Sequence, residues 1–387
     1  MRIFDGGSDA DLREAALLLR DGGVVAIPTE TVYGLAADAS NPSAVARVFA
    51  VKGRPDDKPL PLLVADAADA ARLCGGSMPP AACELAERFW PGPLTLVLPV
   101  SGQNGPPSVA VRCPAHPASL AILRHAGVPL ALTSANRSGE PPPATASDVT
   151  LSGLAGIVDG GPCAVGRASA ILDLTRDPPE ILRHGAPVFG VTGPSGAGKS
   201  AVLSQLGELG AAVIRADGVY HALLQSHEPM LRELRERFPQ AFPRSGLTFD
   251  RAAMRGIAFG DPAALTALNR ITHTYVIAEI RRELARVFLN DRETPAAIEA
   301  IALIGSGLDA LCSVKIAVTA PFETCLRRVM SRDGLSREDA AARLQNQKPN
   351  EYYISNCNIL LENNGTEREL VEKTDAIWKI YGKGDTA

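Results

Sequence analysis

A glycine-rich run near the middle of the chain has the residue types and spacing of a phosphate-binding loop (P-loop). Residues 193–200 read GPSGAGKS, which fits G-x-x-x-x-G-K-S, with an apolar run before it and a helical pattern after it. Backbone N–H groups of such a loop curl around a phosphate, Lys199 reaches the β- and γ-phosphates, and Ser200 ligates Mg²⁺. A glycine-rich turn without nucleotide is the alternative. We expect ATP to be bound by Gly193, Pro194, Ser195, Gly196, Ala197, Gly198, Lys199 and Ser200.

Cationic and hydroxyl side chains indicate a second site in the first half of the chain. The cations lie in glycine- and proline-rich stretches beside apolar runs, and they are Lys52, Arg54, Lys58 and Arg112. Possible donors stand near the ends of the same runs: Thr29, Thr31, Tyr33, Ser134 and Asn136. The set suits an anion site for a nucleotide phosphate and a carboxylate. Alternatively, Lys52 and Arg54 are a surface pair and Tyr33 is a core aromatic.

Lysine usage favours both sites. Of 39 basic residues only eight are lysines, and Lys52 and Lys58 are the only lysines before Lys199. A chain that prefers arginine and keeps a lysine at these positions indicates a need for a compact point charge, although chance is the simpler explanation.

Composition and charge exclude several classes of protein. Hydrophobic residues make up 46% and charged residues 21%, which is typical of globular domains. Residues 1–187 hold 15 basic and 19 acidic residues and residues 188–387 hold 24 of each, so strong direct nucleic-acid binding is not expected. The seven cysteines have no CxxC spacing, and no apolar run has membrane-spanning length. We expect a soluble, cytoplasmic protein with no membrane association.

The order of apolar runs predicts two α/β domains. Residues 1–187 alternate strand-length runs with helical patterns, which indicates an α/β domain with a twisted mixed sheet. Residues 188–387 follow a strand, loop and helix rhythm typical of a parallel sheet, including the predicted strands AAVIRAD, AAIEAIALIG and SVKIAVTAP. We place the boundary at 187/188.

The first half resembles the YrdC-type threonylcarbamoyl-AMP synthases. The resemblance is carried by IPTETVYGLAADAS, Lys52-Gly-Arg54, VAVRCPAHP, Ser134-Ala-Asn136 and ILRHG. It implies that L-threonine, bicarbonate or CO₂, and ATP give threonylcarbamoyl-AMP and pyrophosphate, for transfer by a tRNA threonylcarbamoyl transferase. Lys52 and Arg54 would be catalytic, with Mg²⁺ on the triphosphate. Substrate contacts would come from Thr31, Tyr33, Lys58, Arg112, Ser134, Asn136, Ser169 and Arg183.

The second half resembles the dephospho-coenzyme A kinases, which implies a P-loop kinase domain with a helical lid. The resemblance is carried by FGVTGPSGAGKSAV, LGAAVIRAD, LTFDRAAMRGIAFGDPAALTALNRITH, VTAPFETCLRRVMSRDGLSREDAAARLQNQ and ENNG. It implies transfer of phosphate from ATP to the ribose 3′-hydroxyl of dephospho-CoA, with Asp217 as general base and Lys199 as catalytic cation. Arg251 and His273 would contact the acceptor, and Arg327, Arg328 and Arg332 on the lid would neutralise charge.

Several positions depart from the two family patterns. The kinase family commonly has an acidic residue at Arg215, a proline at Thr274 and a glutamate at Gly305, and the synthase family differs at Ala168 and Ala170. Three alternatives therefore stay open: a second half that only binds ATP, an RNA-binding first half, and a kinase for another small hydroxyl substrate.

Overall fold

The computed structural model of the chain describes residues 1–53, 59–101, 107–137, 139–242 and 246–382. It divides into two compact units, one of which is Met1–Gly185 while the other begins at Ala186. Within the described ranges, no helix is both long and apolar enough to cross a membrane.

The first unit is built on one sheet of ten strands. They are β1 (Arg2–Asp5), β2 (Val25–Ile27), β3 (Gly34–Asp38), β4 (Leu62–Leu63), β5 (Leu94–Pro99), β6 (Ser108–Arg112), β7 (Leu130–Ser134), β8 (Gly156–Asp159), β9 (Ala170–Asp173) and β10 (Glu180–Arg183). The strand order is β1-β8-β2-β3-β7-β4-β6-β5-β9-β10. Four neighbouring pairs are parallel and five are antiparallel, so the predicted mixed sheet is confirmed.

Apolar clusters cover both faces of this sheet. The helices are α1 (Asp9–Arg20), α2 (Pro42–Lys52), α3 (Ala67–Leu73), α4 (Pro80–Phe89) and α5 (Pro117–Ala126). Val25 and Ile27 pack with residues of α1 and α5, whereas Ala26 between them packs with Ala44 of α2. This split follows from the two-residue period of a strand. Because it anchors α2, it fixes the helix that ends at Lys52.

The second unit is built on a five-stranded parallel sheet. Its strands are β11 (Val188–Thr192), β12 (Ala212–Arg215), β13 (Ala296–Glu299), β14 (Val314–Thr319) and β15 (Ile359–Glu362), in the order β12-β13-β11-β14-β15. The helices are α6 (Lys199–Glu208), α7 (Ala216–Ser226), α8 (Glu228–Arg237), α9 (Arg251–Gly260), α10 (Pro262–Asn290), α11 (Phe322–Asp333), α12 (Arg337–Gln345), α13 (Asn350–Asn356) and α14 (Glu367–Tyr381). The predicted parallel sheet is confirmed, and α11 and α12 are the helices of the expected lid.

Parallel strands bring several chain segments to one edge of this sheet. The P-loop follows β11, Asp217 follows β12, and Glu299 ends β13. Since carboxyl ends of parallel strands meet at the same edge, these residues converge there.

One predicted strand is too long. The run AAIEAIALIG forms a strand only over Ala296–Glu299. The apolar residues after Glu299 lie in turns and irregular backbone, and Gly305 at the end of the run has a positive φ of 78°, which strand backbone does not allow. The short strands β1, β3 and β10 were not predicted individually.

Candidate active sites

Lys52 in the first unit is held against the end of a neighbouring strand. It is the last residue of α2, which ends at Gly53 in a left-handed conformation with φ of 62°. Its Nζ donates to the carbonyl oxygen of Ser134 at 2.6 Å, to Ser134 Oγ at 2.9 Å and to Asn136 Oδ1 at 3.3 Å. The side chain is 6% exposed. Three of the predicted site residues therefore meet, whereas Arg54 and Lys58 lie outside the described residues.

Arg112 begins a directed chain of hydrogen bonds. Its Nη2 donates to Thr31 Oγ1 at 2.9 Å, and this hydroxyl lies 2.7 Å from Thr29 Oγ1. Thr29 in turn donates to the carbonyl oxygen of Val32 at 2.6 Å. This order makes Thr31 the donor to Thr29, so the turn that carries both threonines is tied to Arg112.

Glu30 is a buried carboxylate that sequence reasoning missed. It accepts from Arg112 Nη2 at 2.7 Å and from the backbone N–H of Ala115 at 3.0 Å. The two side chains are 6% and 12% exposed, so the pair is largely desolvated. A carboxylate between two threonines in PTET was the available signal. Glu30 fixes the arginine and lowers the net positive charge of the site.

Arg183 is a second guanidinium, close enough to Arg112 for the two charges to interact. It donates to Ser169 through Nε to the carbonyl oxygen at 2.6 Å and through Nη2 to Oγ at 3.1 Å. Desolvation by the surrounding protein and, to a smaller extent, the charge of Arg112 together lower the pKa of Arg183 to about 10. Two neighbouring cations that disfavour each other create a place where an anion is stabilised.

Tyr33 connects the site to the turn after β8. Its hydroxyl donates to the carbonyl oxygen of Gly161 at 2.8 Å and accepts from the N–H of Gly160 at 3.1 Å. Burial raises the pKa of Tyr33 to about 12. The tyrosine is therefore a neutral group that holds this turn, and a role at the threonine end of the substrate stays a prediction.

The P-loop of the second unit has the backbone that phosphate binding needs. Gly193, Gly196 and Gly198 have φ angles of 142°, 77° and 109°, which favour glycine. A Cβ at Gly193 would collide with the carbonyl oxygen of Val318. Helix α6 begins at Lys199, so its first N–H groups and positive dipole end face the loop.

Lys199 is buried beside two carboxylates. It is 6% exposed, and its Nζ donates to the carbonyl oxygen of Pro194 at 3.0 Å. Burial lowers the pKa of Lys199, while the negative charges of Glu299 and Asp217 oppose that shift. Glu299 was not predicted as a site residue. The signal would have been a carboxylate at the end of an apolar run next to the P-loop strand.

Asp217 and His273 line one cavity of about 200 Å³. Asp217 lies in the first turn of α7, whose N-cap residue is Arg215, so Asp217 does not cap the helix. Burial lowers the pKa of His273, which favours its neutral form. The cavity also contains Leu268 and Val276 and so combines an apolar wall with a carboxylate and an imidazole.

The three lid arginines have different environments. Arg328 donates to the carbonyl oxygens of Gly196 and Ala197 at 3.2 and 3.5 Å, so it supports the loop. Arg332 binds Asp333 through Nε and Nη2 at 2.7 and 2.8 Å, and its charge acts on Lys199. Arg327 is exposed and has no hydrogen bond or ion pair with the described residues. Arg332 is thus positioned near the phosphate site, whereas the predicted role of Arg327 has no contact to support it.

Two further residues that sequence reasoning missed hold the P-loop. Gln347 accepts from the N–H of Ser195 at 2.8 Å and donates to Ser195 Oγ at 2.9 Å. Asn363 is 6% exposed and donates to the carbonyl oxygen of Ala197 at 2.8 Å. They belong to LQNQ and ENNG, so the motifs were quoted but the side chains were not assigned.

Comparisons with known proteins match each unit separately. The Sua5/YciO/YrdC family model, described as telomere recombination, matches residues 17–185, and the dephospho-CoA kinase model matches residues 187–369. The threonylcarbamoyl-AMP synthase of Halorhodospira halophila is 42% identical over 144 residues, 36% of this chain and 75% of that protein. The dephospho-CoA kinase of Leifsonia xyli is 30% identical over 191 residues, 49% of this chain and 96% of that protein. The chain belongs to both families.

Other synthases are longer than the matching half. The threonylcarbamoyl-AMP synthase of Bacillus subtilis is 46% identical over 188 residues, 46% of this chain and 54% of that protein. The chain thus spans about half the length of the first curated synthases that it matches.

The unusual residues of the kinase half have local explanations. Gly305 has a φ of 78°, a backbone conformation that is unfavourable for a glutamate. Arg215 Nε lies 4.0 Å from Glu299 Oε2, so the basic residue faces a carboxylate. Thr274 donates to the carbonyl oxygen of Arg270 at 2.8 Å within α10, where the helix has no need of a proline.

Proposed function

We propose that the chain is a bifunctional enzyme. The synthase half forms threonylcarbamoyl-AMP and pyrophosphate from L-threonine, bicarbonate or CO₂, and ATP. The kinase half phosphorylates the ribose 3′-hydroxyl of dephospho-CoA with ATP. The threonylcarbamoyl product would pass to a tRNA threonylcarbamoyl transferase in the cytoplasm. The observation that carries the proposal is that each unit holds a buried lysine in a separate site, Lys52 bound to Ser134 and Lys199 bound to Pro194 of the P-loop.

The synthase reaction has to bring two anions together. The carboxylate oxygen of N-carboxylated threonine attacks the α-phosphorus of ATP, the bond from that phosphorus to the bridging oxygen breaks, and pyrophosphate leaves. Arg112 and Arg183 repel each other, which favours the binding of an anion near both. The Lys52 ammonium, held by Ser134 and Asn136, is preorganised to stabilise the pentavalent phosphorus.

The kinase reaction needs a base beside the acceptor and cations beside the donor. The oxygen of the ribose hydroxyl attacks the γ-phosphorus of ATP while Asp217 accepts the proton of that hydroxyl. The bond between the γ-phosphorus and the β,γ-bridging oxygen breaks, and ADP leaves. Lys199 and Arg332 stabilise the negative charge of the transferred phosphoryl group. Since Asp217 lines the cavity while its charge also acts on Lys199, it lies between the acceptor and donor sites.

The kinase half offers ligands that suit Mg²⁺. Ser200 is exposed at the start of α6, and Glu299 supplies carboxylate oxygens close enough to Lys199 to act on its pKa. Mg²⁺ prefers such hard oxygen ligands together with substrate phosphates and water. When bound, the ion would neutralise charge on the β- and γ-phosphates. In the synthase half, Glu30 is already paired with Arg112, so Mg²⁺ would enter with the triphosphate.

The synthase assignment is tested by pyrophosphate release. We expect release only when ATP, L-threonine and bicarbonate are all present, because the attacking carboxylate forms from the last two. Lys52→Ala should lower the rate about 10²-fold, as expected for loss of a preorganised charge. Arg13→Ala is the control, since Arg13 is exposed and pairs with Asp9 along α1. Pyrophosphate release that does not depend on threonine would refute the assignment.

A further inference from the structure

Three cavities lie along one face of α7. The cavity of about 200 Å³ described above, here called the acceptor cavity, is lined by Asp217 and Tyr220. Tyr220 also lines a second cavity of about 260 Å³, here called the middle cavity. His221 and Leu224 line a third of about 720 Å³, here called the outer cavity. These positions follow the three- and four-residue spacing of a helix face. At a rise of 1.5 Å per residue, the seven steps from Asp217 to Leu224 cover roughly 10 Å along the helix axis. A ligand that starts at Asp217 and follows this face would be extended.

Neighbouring cavities share their walls. Tyr220 and Leu268 line both the acceptor cavity and the middle cavity. Phe249 and Arg251 line both the middle cavity and the outer cavity. The three cavities therefore form one series, with the middle cavity between the other two.

The middle cavity combines cations with an apolar wall. Arg251 and Arg255, one turn apart on α9, both line it, together with Phe249 and Met254. Neither arginine pairs with a carboxylate within the described part of the chain. The adjacent Asp250 instead accepts the N–H groups of Ala252 and Ala253, at 2.9 and 3.0 Å, as the N-cap of α9. Two guanidinium groups beside apolar surface favour a phosphate-bearing ligand.

The outer cavity has a different character. Leu224, Leu231 and Leu247 give it apolar surface, and Gln225 and Thr248 give it neutral hydrogen-bonding groups. Glu228 also lines it, but this carboxylate is paired with Arg232 at 2.8 Å. Such a lining suits an uncharged chain that contains amide and hydroxyl groups.

We propose that Arg251 and Arg255 clamp the diphosphate of an extended acceptor and that the outer cavity holds the neutral arm attached to it. The inference rests on the proposed kinase activity, since it takes Asp217 as the position of the reacting hydroxyl. Nucleoside, diphosphate and neutral arm then occupy the three cavities in the order in which dephospho-CoA joins them. Arg255 and Leu224 become determinants of acceptor specificity.

Binding measurements with two ligands separate the clamp from the outer cavity. The full chain is saturated with a non-hydrolysable ATP analogue, and dephospho-CoA and ADP-ribose are titrated calorimetrically. Arg255→Gln should weaken the binding of both ligands about tenfold, and Arg255→Lys should restore part of it. Leu224→Trp fills the outer cavity and should weaken only dephospho-CoA, because ADP-ribose lacks the pantetheine arm. Arg286→Gln is the matched control, since Arg286 is exposed on α10 and pairs with Glu279.

The outcomes distinguish this inference from the proposed activity. Wild-type affinity of Arg255→Gln for both ligands, or an equal loss in Arg286→Gln, would overturn the clamp. Equal effects of Leu224→Trp on both ligands, or no binding of dephospho-CoA to the wild-type chain, would overturn the three-cavity order. If dephospho-CoA binds as expected but is not phosphorylated, the kinase reaction is wrong while the acceptor site stands.

Discussion

Both proposed active sites depend on a lysine that is removed from water before any substrate arrives. Lys52 and Lys199 are each 6% exposed and donate to carbonyl oxygens. Burying an ammonium group is unfavourable unless acceptors surround it, and Lys199 responds with a lowered pKa. A phosphate oxygen close to either lysine would be a strong, negatively charged hydrogen-bond acceptor for its ammonium group. Binding a nucleotide would therefore offset the free-energy cost of burying each cation.

The base assigned to the kinase can be separated from nucleotide binding. Asp217→Asn keeps the size of the side chain but cannot accept the proton, so we expect phosphoryl transfer to dephospho-CoA to fall at least 10²-fold. The Kd for ATP should stay within about two-fold, because the role proposed for Asp217 is at the acceptor hydroxyl and not at the nucleotide. Coupled ADP release and equilibrium ATP binding measure the two effects. Equal losses in both would mean that Asp217 holds the nucleotide or its metal ion.

At the scale of elements, the lid helix α11 presents one face to the P-loop. Arg328 and Arg332 are four residues apart, the first bound to loop carbonyls and the second near Lys199. Asp333 accepts hydrogen bonds from two nitrogens of Arg332 and a third from Arg343 of α12 at 2.7 Å. The network connects both lid helices, and we expect it to hold Arg332 in place for the transferred phosphoryl group.

This network predicts a selective effect on turnover. Asp333→Asn removes the charge that orients Arg332, so the kcat of the kinase should fall about 3- to 10-fold while the Kd for ATP changes less than two-fold. Glu323→Gln is the control, because it breaks a similar exposed ion pair on the same helix, with Arg337 at 2.9 Å. A steady-state assay of ADP release checks both variants. Equal kcat values for Asp333→Asn and the wild type would contradict the positioning role.

The sequence predicted the elements better than it predicted the side chains around them. The P-loop, both sheets, Ser134 at the end of β7 and the position of Asp217 just after β12 follow from local patterns. Glu30, Glu299 and Gln347 were missed because their roles depend on partners distant in the chain, such as Arg112 82 residues away and Ser195 152 residues away. The overlong strand at AAIEAIALIG failed for another reason, since apolar periodicity does not report the positive φ angles of Gly305 and Gly307.

At the scale of the whole molecule, each unit has its own sheet and its own apolar core. The first unit buries two clusters on the faces of its mixed sheet, and the second buries a cluster around β11 and β14. Independent cores allow each half to fold on its own. Allosteric coupling between two sites requires a two-state element to which both contribute. We therefore expect the two active sites to work independently.

The most direct test of this account is to disable one site in the full-length chain and measure both activities. Lys199→Ala removes the P-loop cation and should reduce phosphorylation of dephospho-CoA at least 10²-fold. Threonine- and bicarbonate-dependent pyrophosphate release by the same preparation should stay within about two-fold of the wild type. A parallel fall in both activities, with the protein still folded, would contradict the account.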